Sequence, residues 1–178
     1  MKDLDKIYTE FRKAKVMTIK QLTQLFGISA RNTHRYLKKW NVLRSYNKNG
    51  AYYTLPDIPI FNEQNNGIWE FDGVCFSKYG NLTQTLIQVV SNAESGLSFR
   101  EIGERLHLDP RSFLHSFKNH SELRREKIDG RFVYFSIEKS VYEQQRSKRI
   151  VKTEKCPEQF DIHYDHKIQL DFCNNFIC

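Results

Sequence analysis

Apolar residues open the chain at helical spacing. Leu4, Ile7, Tyr8 and Phe11 fall at i, i+3, i+4 and i+7, which predicts a helix over residues 3–14. A second helix is expected to begin at Thr18, with Leu22, Leu25 and Phe26 facing inward, and the three-residue turn Gly27-Ile28-Ser29 leads into a third over residues 30–40. That third helix is expected to bury Thr33, Leu37 and Trp40 and to leave its other face free. The pattern then changes to that of short strands, 43–46 and 51–55, joined at Asn49-Gly50.

The same series returns 80 residues later without a gap. Residues 18–31 lie over residues 98–111 with the leading hydroxyl and nearly every apolar position kept, and the offset also superposes Lys38 on Lys118, Leu43 on Leu123, Arg44 on Arg124 and Gly50 on Gly130. The second copy predicts a helix over 81–93 carrying Leu82, Leu86, Val89 and Val90, then a helix from Ser98 whose Ser98-Phe99-Arg100-Glu101 is a capping box. The turn His107-Leu108-Asp109 leads to a third helix over 110–120, with Pro110 suited to its first position, Phe113 and Phe117 inward and Leu114 outward. Strands 123–128 and 131–135 flank Asp129-Gly130. The organisation expected is therefore a first unit over 1–55, a linker with a short strand over 56–79, a second unit over 80–135, a helix within 136–155 capped by Ser136, and an irregular tail over 156–178.

Helix, helix, turn, helix, hairpin is the order of the winged helix-turn-helix superfamily, and the chain resembles it over residues 3–55 and again over 81–135. The motif that carries the resemblance most strongly is Thr18-Ile-Lys-Gln-Leu-Thr-Gln-Leu-Phe-Gly-Ile-Ser-Ala-Arg-Asn-Thr-His-Arg-Tyr-Leu, similar to the helix-turn-helix of many bacterial regulators. The second copy departs from it by placing His107 where Gly27 stands. The resemblance implies a mainly α fold with small β-hairpin wings, of the α+β class, as tandem winged helix-turn-helix units. It also implies that the third helix of the first unit enters the DNA major groove, about 12 Å wide. Arg31, Asn32, His34, Arg35 and Lys38 would then face the bases, with Lys38 and Lys39 also suited to phosphates. Arg44 and Lys48 on the wing, and Thr18 and Lys20 at a helix start, would add backbone contacts. The matching positions of the second unit are Arg111, Ser112, His115 and Lys118, with Arg124, Lys127 and Arg131 on its wing.

Charge sharpens this picture. The 178 residues carry 28 basic and 21 acidic side chains, a net +7, but residues 1–55 hold 12 basic and 3 acidic, a local +9. Residues 56–79 carry −3, residues 80–135 carry +1, and residues 136–178 are balanced. A concentrated excess of this kind attracts a polyanion, of which the phosphate backbone is the obvious one. Hydrophobic residues at 39% and aromatics at 13% are too rich for a disordered chain and point to a globular protein, with cytoplasmic location and no membrane partner expected.

No signature of catalysis emerges: the 8 glycines form no phosphate loop, and the six histidines sit beside no defensible nucleophile. Cys156, His163, His166, Cys173 and Cys178 are zinc-capable, but six, two, six and four residues separate them, without the tighter spacing of closed zinc sites. Asp161, Asp165 and Asp171 fall in a tail too short for a catalytic core. The expectation is thus a non-enzymatic, cofactor-free, sequence-specific binder of double-stranded DNA, a bacterial or phage transcriptional regulator. Two alternatives stand beside it: a winged-helix protein-interaction module, favoured by a near-neutral second unit with Leu114 outward, and the DNA-targeting subunit of a transposition or defence system. The helix after residue 136 has three open roles: covering the second unit with Ile137, Val141 and Tyr142, forming a homodimer, or extending the phosphate footprint through its basic end.

Overall fold

Asp3 starts the first helix by accepting a hydrogen bond from the Asp5 amide, and α1 (Leu4–Ala14) buries Ile7 and Phe11. A computed structural model describes residues 3–62 and 64–155 of the chain. Among these the fold is α+β, with six α-helices and small antiparallel sheets.

After α1 come β1 (Val16–Thr18), α2 (Ile19–Phe26), α3 (Ala30–Lys39), β2 (Leu43–Arg44) and β3 (Tyr52–Thr54). Next are β4 (Ile68–Phe71) and β5 (Val74–Ser77). The later half contains α4 (Leu82–Ser91), β6 (Leu97–Ser98), α5 (Phe99–Leu106), two 3₁₀ turns (Pro110–Ser112 and Leu114–Phe117), β7 (Leu123–Ile128), β8 (Arg131–Ser136) and α6 (Lys139–Lys155). The repeat read from the sequence reappears in the sheets: one is ordered β1-β3-β2 and its counterpart β6-β8-β7, each antiparallel.

Both second helices start on a full capping box. Thr18 accepts from the Gln21 amide while the Gln21 side chain accepts from Thr18, and Ser98 and Glu101 do the same for α5. Both helices also end on a left-handed residue, Gly27 at φ 69° and His107 at φ 54°, so the second turn adopts its shape without glycine. The His107 side chain finds a partner outside the repeat, with Nδ1 lying 2.5 Å from Glu70 Oε2.

Residues 56–79, expected to be a linker, are largely structured. Ile58 packs against the first core, Asp57 pairs with Arg12 at 2.7 Å, and β4 and β5 form a hairpin whose second strand is buried at all four residues. Ile68 and Cys75 of this hairpin belong to the core of the second unit. On the opposite face of β4, Trp69 stacks on Phe71 and packs against Phe76, and the Lys15 ammonium lies 5.4 Å from the Phe71 ring centre. The hairpin therefore bridges the two repeats.

The predicted strand 43–46 ends early for the same reason. Beyond Arg44 the chain leaves the sheet, and Ser45, Tyr46 and Asn47 are buried. The Tyr46 amide donates to the Cys75 carbonyl at 3.0 Å, and the Asn47 side chain donates to the Gly73 carbonyl and accepts from the Cys75 amide, both at 2.9 Å. The Tyr46 hydroxyl donates to the Leu106 carbonyl at the end of α5, at 2.8 Å.

Helix α6 begins slightly later than expected and covers the second unit, although Ile137 stays outside it at 47% exposure. Its anchor is Gln145, 1% exposed: its amide nitrogen donates to the carbonyls of Val90, Ser91 and Ala93, and its oxygen accepts from the Ser136 amide. One side chain thus gathers three carbonyls at and just beyond the end of α4. Further along, Arg149 grips both Glu101 oxygens at 3.0 and 2.8 Å, and Lys152 adds a contact at 3.2 Å.

Burial alone would raise the Glu101 pKa, but hydrogen bonds from Ser98 and the Arg149 guanidinium outweigh it and lower it to about 2. A depressed carboxylate stabilises the fold above its unfolded pKa of about 4.3 and loses that contribution as pH falls toward the folded value. Denaturant midpoints measured across pH should therefore drop between about pH 4.5 and 2, and Glu101→Gln should cost up to about 3 kcal/mol at neutral pH and flatten the acid limb. Tyr46→Phe, which strands the buried Leu106 carbonyl, should cost about 1–2 kcal/mol in the same measurement.

Candidate nucleic-acid interface

The strongest cationic surface is the outer face of α3. Ser29 caps this helix by accepting from the Asn32 amide, and the Gly27 amide donates to the Thr23 carbonyl at the end of α2. On the inner side Thr33 and Leu37 are buried, while Trp40 packs against Tyr8 and Phe26. Arg31, Asn32, His34, Arg35, Lys38 and Lys39 are all exposed. Arg31, Arg35 and Lys38 stand at i, i+4 and i+7, so three cations form one stripe.

Among the described residues nothing neutralises that stripe locally. The three carboxylates of residues 1–55 are Asp3, Asp5 and Glu10, all on or beside α1. Among the described residues no carboxylate lies within ion-pair distance of Lys20, Arg31, Arg35 or Lys38. Lys39 lies 5.6 Å from the Tyr36 ring centre. Lys20 is exposed near the start of α2, but the Thr18 hydroxyl is taken up by the capping box rather than presented to a ligand.

The loop after β2 is only partly the free tip the sequence suggested. Its middle is docked through Ser45, Tyr46 and Asn47, leaving Lys48 and Asn49 exposed. Arg44 folds back on the loop, with Nε donating to the Gly50 carbonyl and Nη2 to that of Asn49. Beside it, a shallow open concavity between α3 and the sheet is lined by His34, Leu37, Lys38, Asn41, Val42, Arg44 and Tyr53. Sequence reasoning missed Asn41 and Tyr53. Only the pairing of Tyr53 opposite Arg44, with Tyr53 packed 5.9 Å from the His34 ring, brings them to this place.

The second unit differs at the corresponding helix. Residues 110–117 form two 3₁₀ turns instead of one α-helix, broken at Phe113 with φ −140°. The hydroxyls of Ser112 and Ser116 donate to the carbonyls of Asp109 and Phe113, competing with helical pairing. The tighter turn moves Leu114 and Phe117, three residues apart, onto the inner face, so Leu114 is 3% exposed rather than outward and Phe113 is only half-buried.

Several charges of this unit are engaged. Arg111 is held by Asp109 at 3.1 Å, and the Arg124 guanidinium lies 4.5 Å from the Tyr142 ring centre. Glu126 accepts from the Tyr142 hydroxyl and from Arg146 Nε at 3.1 Å. His115, Lys118, Lys127 and Arg131 are exposed, but no continuous α-helix gathers them into a stripe. Arg149 and Lys152, in the basic stretch proposed to extend a phosphate footprint, are engaged with Glu101 instead.

The zinc-capable Cys156, His163, His166, Cys173 and Cys178, with Asp161, Asp165 and Asp171, lie outside the described residues. Among the described residues no helix is long and apolar enough to cross a membrane. Comparison with protein-family models, with curated proteins and with solved structures yields no match.

The inward Leu114 is directly testable. Leu114→Ala should lower stability by about 2–4 kcal/mol in denaturant unfolding, as for other buried leucines, whereas an outward leucine would give a change within about 0.5 kcal/mol.

Proposed function

We propose that this chain binds double-stranded DNA through the first of two winged helix-turn-helix units, with α3 in the major groove, and acts as a transcriptional regulator of bacterial or phage type. The carrying observation is the unneutralised stripe Arg31, Arg35 and Lys38 on an α-helix whose inner face is fixed in the core of the +9 segment. Arg31 and Arg35 suit bidentate contact with guanine O6 and N7, and Asn32 suits adenine N6 and N7. Lys20, Lys38, Lys39 and Lys48 suit phosphates. Chemistry of this kind needs neither a cofactor nor a catalytic residue.

The second unit serves this reading as a scaffold. Its broken third helix and its carboxylate-held Arg111 suit it poorly to reading bases, while the exposed Lys127 at its wing suits backbone contact. The rival reading as an interaction module drew on a near-neutral second unit with an outward Leu114; burial of Leu114 removes one of these two supports and leaves the near-neutral charge. A DNA-targeting subunit of a transposition or defence system would use the same α3 surface.

Duplex binding measured across salt tests the proposal. With about six phosphates neutralised, affinity should fall by about five powers of ten per decade of salt. Arg31→Ala and Arg35→Ala should each weaken binding to a selected duplex about 10- to 100-fold with unchanged melting temperature, and Lys20→Ala should weaken all duplexes alike and reduce the slope by about one. Salt-independent binding, or no binding to any duplex, would contradict it.

A further inference from the structure

The concavity between α3 and the sheet has the donor set of an anion site. Lys38 and Arg44 supply two cations, Asn41, Tyr53 and the His34 ring supply further polar groups, and among the described residues no carboxylate lines it. Arg44 is preoriented there: of its five N–H groups, two are committed to the carbonyls of Gly50 and Asn49, and the remaining three point to no protein acceptor among the described residues. Gly50 makes that posture possible, since it sits at φ 64° and a Cβ built on it would lie 2.6 Å from Arg44 Nε. Tyr53 stands directly across the strand pair from Arg44, and no hydrogen bond engages its hydroxyl among the described residues.

We propose that this concavity is a phosphate seat, gripping one phosphate group between the third helix and the wing. The inference rests on the DNA-binding reading and sharpens it. The stripe of α3 borders the seat through Lys38, so a duplex with α3 in its groove would run its backbone past Arg44. The planar guanidinium offers paired donors to phosphate oxygens, and Lys38 adds a point charge. Tyr53 donates without adding to the salt dependence in the way a lysine does. The phosphate comes from the DNA backbone, with a free phosphate ion as the other source of the same chemistry.

The experiment compares the full chain with Arg44→Gln, Gly50→Ala, Tyr53→Phe and Arg31→Ala, on a duplex selected from a random pool and on a random duplex, across salt. The seat requires Arg44→Gln to weaken both duplexes alike by about tenfold and to lower the salt slope by about one. Gly50→Ala should reproduce most of that loss by displacing Arg44. Tyr53→Phe, which keeps the ring, should weaken both duplexes a few-fold with the slope unchanged, and Arg31→Ala should act on the selected duplex. If Arg31→Ala weakens binding while Arg44→Gln and Tyr53→Phe keep wild-type affinity and slope, DNA binding stands and the seat is overturned. If the wild type binds no duplex, inorganic phosphate is titrated while the ring signals of His34 and Tyr53 are followed by NMR. Saturable shifts that vanish in Arg44→Gln then assign the seat to free phosphate, and their absence overturns it.

Discussion

The rest of the molecule depends on where the first loop docks. Tyr46 leaves its own sheet, enters the core of the second unit and donates its hydroxyl to the carbonyl that ends α5. Burial raises the pKa of the phenol, which favours its neutral, donating form. Asn47 behaves beside it like a displaced peptide, donating to Gly73 and accepting from Cys75 at the edge of the β4–β5 hairpin. Two repeats that would otherwise swing on a tether are thereby joined through a shared hairpin. The position of Arg44 follows from the same docking, because the strand must turn away directly after it.

The two repeats share a backbone plan and differ in what happens to charge. In the first, all three carboxylates lie on or beside α1, and the cations of α3 are left facing solvent. In the second unit and the α6 helix that covers it, several arginines are held by carboxylates: Asp109 holds Arg111, Glu126 holds Arg146 and Glu101 holds Arg149. Exposed ion pairs of this sort contribute little stability, but they cancel the field that a polyanion would sense. Glu101 is different, being mostly buried, because it both completes the α5 cap and fastens α6. The first repeat is thereby left with an exposed cationic helix face, and the second, together with α6, with arginines held by carboxylates.

Much of this was legible in the sequence, and the exceptions have physical causes. The helices announce themselves through Leu4, Ile7 and Phe11 or Leu86, Val89 and Val90, because a core-facing stripe requires that spacing. β1 and β6, at three and two residues, are too short to alternate, so the third strand of each sheet is silent. The β4–β5 hairpin did leave a signal, Asp72-Gly73 between apolar runs, with both residues at positive φ as a tight hairpin turn demands. The break at Phe113 depends on serine hydroxyls taking backbone carbonyls, a competition that apolar spacing does not register. Gln145 reads as a polar surface residue, and only the convergence of three carbonyls explains its burial. For the candidate site, the exposed residues of α3 followed from helix geometry, while Tyr53 and Asn41 required the sheet to be placed beside it.

The central claim is that one helix of this chain reads DNA bases. Selection of duplexes from a random pool, run in parallel with the wild type and with an Arg31→Ala, Asn32→Ala, Arg35→Ala variant, tests it most directly. The account requires the wild type to enrich a short motif fitting one helix in one groove, repeated with two-fold symmetry if the chain dimerises, and the variant to stay folded and enrich nothing. Enrichment of the same motif by both proteins, or of none by either, would contradict it.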